Sequence, residues 1–186
     1  MFVQLPPQIR QAALYLKLTV STTQSSRTLY GDQSAVYGAW DQVHSQISPH
    51  LEMSATSLTP TLCFPHLVHE CGHLFWAIQT NAARDQYASA NMALVTTNFT
   101  EVTKYAQDYF DGWHRLLRSD DPAMQQRRDA ARTKWLIESF CESAAKICSP
   151  AYKEEEDRHT GDLLKARQQI ANDTFGLMLN RQFGAS

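Results

Sequence analysis

The sequence predicts a mainly α protein with a minimal β component. Three observations carry this. Apolar residues recur at helical spacing, as in Val102, Tyr105, Tyr109, Trp113 and Leu116. Helix start signals stand at Pro6-Pro7, at Pro65 and in the run Ser119-Asp120-Asp121-Pro122. Only LKLTVSTT (16–23) and, more weakly, MALVTT (92–97) are β-branched enough to suggest strands.

Taken in order, a short helix opens at Pro6-Pro7 and runs to about Lys17, a strand lies within 16–23, and Ser21 to Arg27 is a polar loop. A second helix is expected from about Gln33 to Ile47, with Val36, Trp40 and Val43 on one face. SPHLEMSATSLTPTL (48–62) reads as a loop with turn residues. The next helix starts near Pro65, where a proline suits a first turn, and runs to about Thr80. Asn81 to Ser89 is polar and is expected to break it. A long helix follows over Asn98 to Leu117, and another from Asp121-Pro122 to Cys148, stopping before Pro150. The charged run Lys153 to Arg158 is a solvated face, and Gly161-Asp162 opens a last helix to about Leu179. No repeat or linker divides residues 1–186, so one domain is expected.

The bulk properties exclude several functions. A chain of 186 residues, 43% hydrophobic, can bury a substantial core. A net charge of -2 leaves no basic excess to neutralise phosphates, so no nucleic-acid partner is expected. No apolar run approaches the roughly 20 residues of a membrane span. The N-terminal stretch, broken by prolines and an arginine, is not read as a signal peptide. Four cysteines at 63, 71, 141 and 148 match no zinc-ribbon or redox spacing, so reduced thiols and a cytoplasmic location are expected.

The chemistry concentrates in FPHLVHECGHLFW (64–76). Residues four apart share a helix face, so His69 and His73 can present ring nitrogens to one metal ion. Glu70 sits about 100° round the helix, from where it reaches a metal-bound water without ligating the ion. Leu67, Cys71, Leu74 and Ile78 form an apolar stripe on the other side, and Gly72 removes bulk beside His73. The competing reading is a surface helix with two solvated histidines. A short motif arises by chance often enough to need a second observation.

That observation is WLIESFCESAA (135–145). Its only charges, Glu138 and Glu142, lie on one stripe with Ala131, Trp135 and Ala145. Two carboxylates on so apolar a face are costly unless something positive meets them. Glu138 fits a third metal ligand, and Glu142 fits an acceptor for the far N–H of a ligating histidine. Glu101 is the rival ligand, although Lys104 three residues on suggests a solvated pair. His66 shares the face of His69, where the alternatives are a histidine that borders the cleft or contacts substrate and, the favoured reading, an ordinary first-turn histidine. Tyr105, Tyr109, His114, Tyr152 and His159 are open candidates for stabilising an oxyanion. Cys141 lies one turn from Glu138 and is expected to be a small buried thiol.

HExxH followed by a second acidic motif on a later helix resembles the glutamate zincins, the thermolysin-like metallopeptidases. The resemblance implies a single zincin-like domain with one zinc ion per chain. It implies His69, His73 and Glu138 as ligands, Glu70 as general base and Glu142 in the place of the aspartate that orients a histidine. Glutamate where the family has aspartate is a departure that changes reach by one methylene. HExGH with the later Glu138, Glu142, Ala145 and Pro150 is also similar to small bacterial ImmA/IrrE-type zincin-like proteins. Together these segments cover about 15 residues each. The implied function is zinc-dependent hydrolysis of a peptide or protein substrate. The alternatives are a zinc-binding regulatory domain without turnover and a metal-free helical interaction protein. Neither oligomeric state nor cleavage specificity is legible.

Overall fold

A computed structural model of the chain describes residues 2–23, 38–40, 50–54, 60–119, 121–149 and 160–179. In order these are α1 (Pro7–Tyr15), β1 (Thr19–Thr23), β2 (Gly38–Trp40), β3 (His50–Ser54), α2 (Pro60–Ala77), α3 (Asn81–Asn98), α4 (Lys104–Leu116), α5 (Gln125–Cys148) and α6 (Thr160–Phe175). Single 3-10 turns precede α1 and α5, at Phe2–Gln4 and Pro122–Met124. The protein is mainly α, as its sequence predicts, and its β component is one small sheet.

The sheet has strand order β1-β3-β2, with β1 parallel and β2 antiparallel to β3. It corrects two expectations. Residues 38–40, placed in a helix by the spacing of Val36, Trp40 and Val43, form a strand. Residues 50–54, expected in a loop, form the central strand, with buried Leu51 in register with Val20 on one side and Trp40 on the other. Short apolar runs do not distinguish helix from strand by period alone. The rest of the expected helix at 33–47 and the charged run 153–158 lie outside the described residues.

Four helix boundaries also differ. The helix bearing the motif starts at Pro60, one turn and more before Pro65, which sits inside it. Asn81–Ser89 does not break the chain but opens α3, capped by the Thr80 hydroxyl, which accepts from Ala83 N at 3.2 Å. Alanine-rich composition favours helix here, and Tyr87, Ala88, Asn91 and Val95 form the buried face. MALVTT is therefore helical. At the end of α3, Phe99 turns left-handed (φ 53°), and 99–103 is a non-helical connection rather than the start of α4. The buried face of α4 is Ala106, Phe110 and Trp113, while Tyr105 is exposed. The last helix ends at Phe175 because Gly176 (φ 61°) lets its own N–H and that of Leu177 close back on the carbonyls of Asn172 and Ala171. The start predicted at Asp121-Pro122 is present, with Asp121 accepting from Ala123 N at 2.9 Å.

The core is built around α2 and the second half of α5, which pack along each other and are buried on nearly every face. Phe75, Trp76, Tyr87, Phe140 and Phe175 join α2, α3, α5 and α6 in one aromatic cluster. A second cluster, Phe110, Trp113 and Trp135, joins α4 to α5, with the two indoles stacked at 4.8 Å. Trp135 and Phe140 thus pin α5 on both sides of Glu138 and fix which way that residue faces. Among the described residues no helix is long and apolar enough to cross a membrane.

Candidate metal centre

The α2 helix places His69 and His73 one turn apart, and their Nε2 atoms converge to 3.2 Å. Across the helix pair, α5 brings Glu138 Oε2 to 3.3 Å from His69 Nε2 and 3.8 Å from His73 Nε2. Glu142, one turn further along α5, sets Oε1 2.8 Å from His69 Nδ1. The four residues read from the sequence as ligands and orienting acid therefore meet in space. Glu70, the candidate base, lies beside them on α2, partly exposed.

The triangle of two Nε2 atoms and Oε2 fits a tetrahedral ion. Ligand atoms about 2.1 Å from zinc lie about 3.4 Å apart at the tetrahedral angle. The observed edges are 3.2, 3.3 and 3.8 Å, and a triangle with those edges has a circumradius of about 2.0 Å. Glu138 Oε2 is buried and, although it lies 3.3 Å from His69 Nε2, receives no well-aligned hydrogen bond among the described residues. The donor set, two imidazoles and one carboxylate, is one that zinc accepts.

Cys141 is a nearby donor. Its Sγ and nitrogens of the two histidines lie within 4.8 Å of one another. The Glu138 oxygen makes the tighter triangle with the two histidines. Burial, and after it the charges of Glu138, Glu70 and Glu142, push the Cys141 thiol well above its ordinary range and keep it protonated. Gly72 explains how the two helices come so close. A methyl there would stand 3.1 Å from Cys141 Sγ.

Burial and mutual charge shift the protonation of these side chains. Burial opposes charge on His69, yet hydrogen bonding to Glu138 and Glu142 and the charge of Glu70 push its pKa up to about 10. Burial, then the charged His69, holds His73 down at about 4, so it is neutral and ready to donate a lone pair. Burial raises Glu70 to about 7, with His69 opposing and Glu138 and Glu142 adding to the rise. Glu138 is held low by His69 and His73 although burial works against it.

Several sequence candidates are reassigned. Glu101 is neither a ligand nor a solvated partner of Lys104. It is buried, accepts from Trp135 Nε1 at 2.6 Å and pairs with Arg167 Nη2 at 2.8 Å, while Lys104 pairs with Asp108. Ile78, placed on the anchoring stripe, is 41% exposed and lies beyond the end of α2. Tyr105 borders the site, its ring 6.1 Å from that of His69 and its hydroxyl 3.1 Å from that of Tyr109. His114 instead stacks on Phe110, and Tyr152 and His159 lie outside the described residues. His66 is partly buried on α2.

Two participants escaped the sequence reading. The Thr103 hydroxyl donates to Glu142 Oε2 at 2.5 Å, across 39 residues. Arg167 is fully buried on α6 and ties Glu101 to Ser139. A signal for Arg167 existed, since it falls four residues from both Leu163 and Ala171 on the buried face. A scan against protein-family models, a search of curated proteins and a search of solved structures give no match to this chain.

Proposed function

We propose that this protein is a zincin-like, zinc-dependent metallopeptidase in which His69, His73 and Glu138 hold the ion and Glu70 is the general base. The observation that carries the reading is the triangle of His69 Nε2, His73 Nε2 and Glu138 Oε2, sized for an ion at ordinary zinc–ligand distances. When bound, zinc supplies Lewis acidity, making a water more acidic and polarising a substrate carbonyl. Glu70, beside His69 on α2 and partly exposed, is suited to take the proton of the attacking water and give it to the departing amine. Glu142 lies against the Nδ1 side of His69 and would orient its Nε2 toward the ion. Tyr105, against the His69 ring, is the best placed of the sequence candidates to donate a hydrogen bond to a developing oxyanion. The substrate class is a peptide or protein. Four buried cysteines without a disulfide suit the reducing cytoplasm.

A second reading is favoured by the nearness of Cys141. With a thiolate as fourth ligand the site would be closed, as in structural zinc sites, and the domain would bind metal without turnover.

The test is zinc content and peptide hydrolysis in wild type, Glu138→Ala and Glu70→Gln. About one zinc in wild type, loss in Glu138→Ala, and retained zinc without hydrolysis in Glu70→Gln support the peptidase. Zinc with no hydrolysis in any form, and loss of zinc in Cys141→Ala, select the closed site. No zinc in reconstituted wild type overturns both.

A further inference from the structure

The structure assigns a positioning role to Thr103, whose hydroxyl fixes the Glu142 carboxylate and through it the orientation of His69. The inference rests on the proposed metal site and adds a residue to it from outside both motif helices.

The segment 99–103 between α3 and α4 is held against α5 at two points. The first is Glu101, buried and bonded by Trp135 Nε1, by Ser139 Oγ at 2.9 Å and by Arg167. Ser139 has its capacity filled, since it donates to Glu101 and accepts from Arg167 Nη1 and, at 3.4 Å, from Asn91. The second point is Thr103. Its Oγ1 accepts from Ala106 N at 3.2 Å, which caps α4, and donates to Glu142 Oε2 at 2.5 Å. That donation occupies the Glu142 oxygen turned away from the histidine. The other oxygen, Oε1, stands 2.8 Å from His69 Nδ1 as an ion-pair contact.

The arrangement addresses the departure in the sequence. Glutamate at 142 has one more rotatable bond than aspartate, so by itself it holds a histidine less firmly. A buried hydroxyl gripping its far oxygen removes that freedom. Trp135, Glu138, Ser139 and Glu142 are all on α5, so the same helix presents the third ligand, the orienting acid and both anchors of the 99–103 segment. Thr103 touches neither metal nor substrate and acts through Glu142.

The experiment measures cobalt(II) and zinc affinity of the whole protein by competition with a chromophoric chelator, together with the cobalt absorption spectrum. Thr103→Val keeps the shape and removes the hydroxyl. Its affinity should fall about tenfold, at the low end for outer partners of metal ligands. Thr103→Ser should stay within about twofold of wild type, since it keeps the donor. Loss of the α4 cap lowers thermal stability in Thr103→Val whatever the role. A cycle with Glu142→Ala separates the two effects. If Thr103 works through Glu142, adding Thr103→Val to Glu142→Ala leaves affinity and spectrum unchanged although stability still falls. Full affinity in Thr103→Val, equal loss in the Ser variant, or an additive loss in the double variant overturns the assignment and leaves the metal site standing. Failure of wild type to bind either ion overturns both.

Discussion

Replacing Gly72 by alanine sets two effects of opposite sign against each other. Gly72 lies inside α2, where alanine is the better helix former by about 1 kcal/mol. The added methyl, however, would stand 3.1 Å from Cys141 Sγ, 3.5 Å from Cys141 Cα and 3.6 Å from its Cβ. Carbon and sulfur atoms settle near 3.5–4.0 Å, so the sulfur contact is several tenths of an ångström too close. Cys141 is fully buried, and α5 is held on the same side by Phe140 against Phe75 and Trp76. Overpacking at such a site costs about 1–3 kcal/mol. The metal-free variant should therefore lose about 0–2 kcal/mol net, at about 2–4 °C in Tm for each kcal/mol in a chain of this size. The larger effect falls on the metal. His73 adjoins Gly72, Glu138 is one turn from Cys141, and their 3.8 Å edge is already the longest of the triangle. Separating the helices by a few tenths of an ångström opens that edge further, and zinc affinity should fall about tenfold or more. Thermal unfolding of the chelated protein and chelator competition read the two quantities separately. Gly72→Ala/Cys141→Ala removes the sulfur and should restore both. A single variant that gains the full 1 kcal/mol or so of helix propensity and binds zinc like wild type would refute the account of why this helix pair needs a glycine.

Two further expectations follow from the charges. His69 in the metal-free protein carries a proton up to about pH 10, and a metal takes its Nε2 lone pair. Zinc binding near neutral pH should release about one proton, measurable as a buffer-dependent binding enthalpy; an enthalpy independent of buffer ionisation would contradict the His69 assignment. The sign for stability is also set. A histidine raised above its unfolded pKa of about 6.5 contributes fully below that pH and loses its contribution as pH rises through about 10. Glu70, raised to about 7, works in the same direction at lower pH. The chelated protein should thus melt at a lower temperature at pH 9 than at pH 6.5, and a flat or rising profile would sink the reasoning. Finally, Arg167→Met leaves Glu101 buried without its cation and should cost about 3–5 kcal/mol in urea unfolding. Most of that should return in Glu101→Gln/Arg167→Met, and a single-variant cost below about 1 kcal/mol would show the pair to be dispensable.

Local pattern was enough for the helical class, for the start at Asp121-Pro122 and for the two segments that build the candidate centre. His69 and His73 share a face because of helical period, and that is written in their spacing. Glu138 and Glu142 were legible for a different reason. Charge on an otherwise apolar helix face needs a partner, and the composition of 135–145 says so without any structure. Local pattern failed where propensity and period are weak. Gly38–Trp40 and His50–Ser54 became strands because they pair with each other, and His50–Ser54 also with β1, and alanine-rich 81–89 became helix despite its polarity.

What only the tertiary structure decided is how distant segments meet. Glu101 reads as a solvated residue until α5 and α6 bring Trp135, Ser139 and Arg167 to it. The bond from Thr103 to Glu142 spans 39 residues and depends on where the segment after α3 is anchored. Sequence periodicity fixes which side chains share a face of one helix, because that is set by 3.6 residues per turn. Which face meets which, and at what distance, is set by the packing of many side chains at once, here by a glycine that lets α2 and α5 approach and by aromatic clusters that fix their rotation.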